Sequence, residues 1–282
     1  SVGVKVDEEK APAEAGAQRQ RMRRVLLTTP GLKEAGIDAV ILDRDTLTNT
    51  TPDGGTTLVE HLRTQGIIPG LKTDEGLVDD PAYPGQAGVK LPKDPDLTKL
   101  PALLRQANAL GLGFTKYRTT IRANDPPEGN MRANAKMQAK QAKLAQEADL
   151  VPIVEPETIF DGSDGSPSTH DLAASYAATT RMLELTFEAA AEEGVWLDGV
   201  VLKTSMILAG KNAPQQTDPE TVGFETLKGL LDDPSPVVIG RSLVALREQP
   251  GVDLVAELTK IVTHADARFR TTAIYTITEL GD

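Results

Sequence analysis

No cysteine occurs anywhere in the 282 residues, which excludes disulfides, thiolate metal sites and cysteine nucleophiles together. Histidine is nearly as scarce. His61, His170 and His264 lie scattered, so no zinc site is expected, and no metal or other cofactor is assigned. Positive charge is also in deficit: 30 Lys and Arg face 41 Asp and Glu, for a net charge of -11. A chain so acidic has no broad positive face for releasing counterions from nucleic acid or docking on an anionic membrane, and neither partner is expected. A small anionic ligand stays open where cations gather locally. No apolar run approaches the roughly 20 residues of a membrane span, and "SVGVKVDEEKAPAEAG" lacks the apolar core of a signal peptide. The cytoplasm is the expected address.

What is present is an alternation. Apolar runs of strand length are separated by helical patterns, the signature of βα units around a parallel sheet. Ala17 to Thr29 reads as a first helix, followed by the strand "DAVILDRDTL". A short helix, "TTLVEHLRTQG", and the strand "GIIPGLKTDEG" come next. "DLTKLPALLRQANALG" reads as a helix with Pro101 in its first turn, and "GFTKYRTTI" as the third strand. "NMRANAKMQAKQAKLAQEA" is strongly helical, and "DLVPIVEPE" is the fourth strand. In the helix that follows, Ser168 or Thr169 is the expected cap, with Leu172, Tyr176, Leu183 and Phe187 on one face until Gly194. Trp196 to Val201 reads as a buried fifth strand despite Asp198, and runs on through Leu202 to Lys203. Five βα units in order favour a (β/α)8 barrel over an open sheet.

The tail is different. "LLDDPSPVVIGRSLVALREQPG" and "IVTHADARFRTTAIYTITELGD" align at an offset of 31 residues, pairing Pro236 with Ala267, Ser242 with Ala273, Leu243 with Ile274 and Leu246 with Ile277. Two readings fit this: a pair of HEAT-like helical repeats, or a further strand "SPVVIG" followed by ordinary barrel helix. Residues 1–230 are therefore expected to form the (β/α) barrel and 231–282 a helical C-terminal segment of one kind or the other.

In such a barrel, catalytic groups come from the C-terminal ends of several strands. Those ends carry Asp43, then Lys72, then Lys116 with Arg118, then Glu155 with Glu157, then Lys203. Side chains alternate along a strand, so Lys116 and Arg118 share a face, as do Glu155 and Glu157, and Lys203 shares one with Val201. A lone lysine at a strand end is ordinarily just solvated. Five consecutive strands ending in charge predict a common mouth. A lysine there could attack a carbonyl once its amine is neutral, a state that burial and neighbouring cations such as Lys116 and Arg118 would favour. The resulting iminium at Lys203 would withdraw electrons from the adjacent carbon, Glu155 could move the protons, and the surplus cations would hold phosphate.

The motifs "LVPIVEPE", "LDGVVLKTSM", "GFTKYRTTI", "GIIPGLKTDEG" and "AVILDRDTL", in this order and spacing, resemble class I fructose-1,6-bisphosphate aldolase from about residue 17 to about residue 230. The resemblance implies a metal-free (β/α)8 barrel, usually tetrameric, that splits fructose 1,6-bisphosphate into dihydroxyacetone phosphate and glyceraldehyde 3-phosphate in glycolysis. By position, it makes Lys203 the Schiff-base lysine, Glu155 the acid/base, Glu157 its partner, and Lys116 the lysine beside the reacting carbons. Lys72 and Arg118 become the cations that bind the sugar phosphate. Tyr117 stands where the family usually has tryptophan, and Thr204 where proline usually follows the lysine. The barrel is expected to be incomplete at both ends: the family's first strand, with its catalytic aspartate, would precede Ser1, and the late phosphate loops are not visible after Gly240. A non-catalytic binding or scaffold role, and a Schiff-base lyase for another sugar phosphate, are the alternatives.

Overall fold

All the strands whose ends carry charge run in one direction in the computed structural model, which describes residues 12–94, 97–231, 239, 253–263 and 276–277. In chain order the elements are α1 (Pro12–Leu27), β1 (Ala39–Leu42), α2 (Leu58–Thr64), β2 (Ile68–Lys72), β3 (Leu77–Asp79), β4 (Lys90–Pro92), α3 (Leu100–Ala109) and β5 (Phe114–Arg122). They continue with α4 (Glu128–Glu147), β6 (Val151–Ile159), α5 (Leu172–Glu192), β7 (Val201–Leu202), α6 (Pro219–Leu231) and α7 (Leu254–Val262). The sheet order is β1-β2-β5-β6-β7, parallel throughout. Strands adjacent in the sheet are thus consecutive in the chain, apart from the separate β3–β4 pair. Among the described residues there is no topological switch of the doubly wound kind, and this is the order that a barrel requires.

The alternation in β5 decides which face the helices cover. Thr115, Tyr117, Thr119 and Ile121 turn towards α4 and are all buried. α4 answers with Met131, Ala135, Gln138, Ala142 and Ala145, a stripe at helical spacing whose alanines allow close approach to the sheet. Leu42, Leu62, Leu71, Leu104 and Tyr117 form one core beneath α2 and α3, and Ile121, Met131, Val154, Met182 and Leu185 form another beneath α4 and α5. Each such aliphatic side chain, fully withdrawn from water, contributes about 2 kcal/mol. Gln138 and Gln141 are buried polar residues of this layer that meet the threonines of β5. Gln141 donates through Nε2 to Thr115 Oγ1 at 2.9 Å, and Gln138 to Thr119 Oγ1 at 3.2 Å.

Three local expectations change. The cap of α5 is Asp171, whose carboxylate accepts from the Ala174 N–H at 2.8 Å; Ser168 instead sits at φ +53° and donates its hydroxyl to the Phe160 carbonyl. The expected strand from Trp196 shrinks to Val201–Leu202, because Leu197–Gly199 forms a 3-10 turn. Gln146 of α4 holds that turn by accepting from the Trp196 N–H at 2.9 Å and donating to its carbonyl at 2.8 Å. Asp198 therefore lies on an exposed turn, which removes the puzzle of a carboxylate inside a buried strand. The β3–β4 hairpin was not expected at all. It is fastened to α4 where Asn130 and Asn134 donate to the Lys90 carbonyl at 2.9 and 3.0 Å.

α7 begins at the Asp253 cap, with a bond from the Ala256 N–H at 3.0 Å. Of the paired tail positions from Pro236 to Ile277, only Ile277 is among the described residues, so the choice between repeat and barrel helix lies outside them.

Gly70 and Phe114 face each other across the β2–β5 pairing, and a Cβ at Gly70 would fall 2.2 Å from the Phe114 ring. Gly70→Ala is expected to lower stability by about 1–3 kcal/mol through overpacking, read as an earlier urea midpoint with an unchanged slope. An unchanged midpoint would mean that the ring moves aside freely.

Candidate active site

Parallel pairing brings the C-terminal ends of all five strands to one edge, and register decides which side chains meet there. Lys72, the last residue of β2, lies opposite Lys116; Arg118 lies opposite Glu155, and Thr120 opposite Glu157. Beyond β7, the Lys203 N–H donates to the Val154 carbonyl at 2.9 Å, extending the ladder by one residue and setting Lys203 beside Glu155. The Thr158 N–H donates to Ser205 Oγ at 2.8 Å, which fixes the chain just past the lysine.

The side chains form a chain of alternating charge. Lys203 Nζ donates to Glu155 Oε1. Lys116 Nζ lies 2.6 Å from Glu155 Oε2 and 3.1 Å from Asp74 Oδ2. Lys72 Nζ lies 2.5 Å from Asp74 Oδ1 and donates to the Asp74 carbonyl at 2.9 Å. The middle of the chain is dry, with side-chain exposures of 8% for Lys116, 8% for Glu155 and 6% for Asp74. The outer end is wet, since Lys203 is 54% exposed. Arg118 Nε donates to Glu157, a separate half-buried pair beside the chain.

Burial raises the Glu155 carboxyl, but hydrogen bonding and charge from Lys116 and Lys203 outweigh it and leave the group below the ordinary glutamate range. Glu155 is therefore a carboxylate at neutral pH, able to accept protons. The sequence-based picture of Lys203 needs correction here. Burial and neighbouring cations were to free its amine, yet the side chain is half exposed and its contact is an anion. What the geometry supplies is a proton acceptor in direct contact with Nζ.

The structure brings together Lys72, Lys116, Glu155 and Lys203, with Arg118 and Glu157 alongside. It does not bring in Asp43, which pairs with Arg23 of α1. Asp74 was missed by the strand-end reading, although its spacing of two from Lys72 was a usable signal.

A parallel α/β fold in barrel order, with amines and carboxylates converging at the strand ends, has the layout of an enzyme active site. Comparison with known proteins identifies the lineage: the fructose-bisphosphate aldolase class-I family profile matches residues 7–245, and the chain belongs to that family. It is 36% identical over 229 residues to a probable fructose-bisphosphate aldolase class 1 of Xanthomonas axonopodis pv. citri, covering 80% of this chain and 62% of the relative. It is 34% identical over 226 residues to the cytosolic fructose-bisphosphate aldolase 5 of Arabidopsis thaliana, covering 79% and 59%. The chain thus spans about three fifths of the length of these curated relatives. Among solved structures it resembles fructose-bisphosphate aldolase of Plasmodium falciparum, itself in complex with TRAP and an inhibitor, with a TM-score of 0.69 and 25% identity over 92% of this chain and 79% of the other. The fold class is the (β/α)8 barrel.

A carboxylate depressed in the folded state adds stability above its unfolded value, about pH 4.3, and that stability is lost as the pH falls through the folded value. Thermal melts of wild type and Glu155→Gln are expected to differ most above the unfolded value and to converge as the pH falls through the folded one. A gap independent of pH would show that the Glu155 charge contributes nothing to stability.

Proposed function

We propose that this chain is a class I, Schiff-base fructose-bisphosphate aldolase, reversibly cleaving fructose 1,6-bisphosphate to dihydroxyacetone phosphate and glyceraldehyde 3-phosphate. The observation that supports it most directly is the contact between Lys203 Nζ and the Glu155 carboxylate, next to the buried Lys116. In this reading Lys203 gives its proton to Glu155 and attacks the substrate ketone, and loss of water leaves an iminium. The C3–C4 bond then breaks as the C4 hydroxyl gives its proton to a carboxylate. The bonding electrons flow into the iminium, giving an enamine and releasing the aldehyde. Protonation of the enamine carbon and hydrolysis release the ketone phosphate and restore the lysine.

Lys116, buried beside Glu155, would hydrogen-bond the oxygens at which charge develops. Lys72 and Arg118, at the rim, would take the phosphate ends, and Glu157 would orient Arg118 and support Glu155. A homotetramer in the cytoplasm accompanies this reading. Related proteins carry the words cytosolic and cytoplasmic in their names, and among the described residues no helix is long and apolar enough to cross a membrane.

The test is borohydride reduction in the presence of dihydroxyacetone phosphate, followed by intact mass. Wild type should gain one reduced adduct, and Lys203→Met should gain none while losing about 1 kcal/mol or less of stability, since the lysine is half exposed. A wild type that traps nothing would favour a binding or scaffold role. Equal trapping in both proteins would place the nucleophile elsewhere, and trapping without cleavage of the bisphosphate would point to a different sugar phosphate.

A further inference from the structure

Lys72 and Lys116 are direct cross-strand neighbours on one face of the sheet. Two ammonium groups so placed repel each other, and Lys116 is buried besides. Asp74 resolves both problems. Its Oδ1 lies 2.5 Å from Lys72 Nζ, while its Oδ2 lies 3.1 Å from Lys116 Nζ and accepts the Arg118 N–H at 3.3 Å. The backbone that carries it is anchored to the same strand as the lysine it holds. The Thr73 N–H and hydroxyl both donate to the Lys116 carbonyl, at 2.9 and 3.1 Å.

We propose that Asp74 is the positioning residue for Lys116 in the reaction described above, a role that rests on the aldolase reading. An ammonium has three donors. Asp74 accepts one of them at 3.1 Å and the Glu155 carboxylate lies within ion-pair reach at 2.6 Å, which leaves a donor for a substrate oxygen in the mouth. Asp74 also governs how Glu155 is shared. Among the described residues these two carboxylates are the anions paired with Lys116. Without the charge on Asp74, Glu155 would be the sole counter-ion of a buried cation, drawn towards Lys116 and away from Lys203. The acid/base group would then be displaced from the amine that it serves.

The test is a double-mutant cycle on fructose bisphosphate cleavage with Asp74→Asn and Lys116→Met, residual turnover being followed over long incubations. In the Lys116 background, Asp74→Asn should lower kcat about tenfold or more and change KM less than about threefold. In the Lys116→Met background it should lower kcat less than about twofold, because there is no ammonium left to position. Asp74→Glu, which keeps the charge but moves it by a methylene, is run in parallel, should show the same pattern, and decides the matter where the Asn variant does not fold. Equal losses in both backgrounds, or a wild-type kcat in the single variants, overturn the proposal. Borohydride trapping separates the two levels: a wild type that traps nothing removes the aldolase reading and this role with it, whereas a wild type that traps while the cycle is additive removes the role of Asp74 alone.

Discussion

The ammonium of Lys116 is the constraint around which this structure is arranged. Removing such a group from water costs several kcal/mol unless anions meet it at close range. Here two do, Asp74 from beyond β2 and Glu155 from β6, with the lysine on the strand between them. Three elements must therefore hold register to within a fraction of an ångström. That explains the polar layer behind the sheet: Gln141 reaches both Thr115 and Thr73, at 2.9 and 3.4 Å, and so ties the residues adjoining Lys116 and Asp74 to one helix. An all-apolar interface would bury comparable area, but it would tolerate sliding. Directional bonds to buried threonines do not.

From this centre the site grades outward. Lys116, Glu155 and Asp74 lie in a dry interior where Coulomb attraction is weakly screened. Lys203 and Lys72 extend from them towards water, each with one foot on a buried carboxylate. The arrangement leaves Lys203 reachable from solvent with a proton acceptor directly beside it. It also places the carboxylate where it can serve two lysines in turn. Burial opposes ionisation of Glu155, but the hydrogen bonds and charges of Lys116 and Lys203 outweigh it and hold the carboxyl below the ordinary glutamate range.

Much of this was legible from residue order. Period-two alternation in "GFTKYRTTI" and "LVPIVEPE" assigns Lys116, Arg118, Glu155 and Glu157 to one face without coordinates, and parallel order brings that face to a common edge. Lys72 and Lys203 follow from the same rule. Asp74 obeys it too, but it lies past the last paired residue of its strand, among other charges, where its spacing of two from Lys72 is the signal that marks it as inward. Asp198 misled for the opposite reason. An apolar run was read as a strand, when tertiary contacts from Gln146 turn its first half into a 3-10 helix. The hairpin of β3 and β4 has three residues to a strand, too few to show a period, and its anchor is a pair of asparagines 40 and 44 residues away in α4.

The alternation that gathers the charges also lays an apolar floor beneath them. Ile41, Gly70, Phe114 and Val151 are successive register partners across β1, β2, β5 and β6, and on the same face the next row runs Lys72, Lys116, Ile153 and Val201. Several of these, Ile41, Val151 and Val201 among them, are exposed. Parallel sheets are stable when both faces are covered, and in a barrel the inward side chains cover one another. Covering this floor would do more than bury hydrocarbon. It would exclude water from under Glu155 and Lys116, lower the local dielectric, and strengthen the ion pairs that hold Glu155 against Lys116 and Lys203. Packing and chemistry are therefore coupled through a single parity along each strand: one set of positions, read from base to rim, runs from isoleucine and valine to lysine and glutamate.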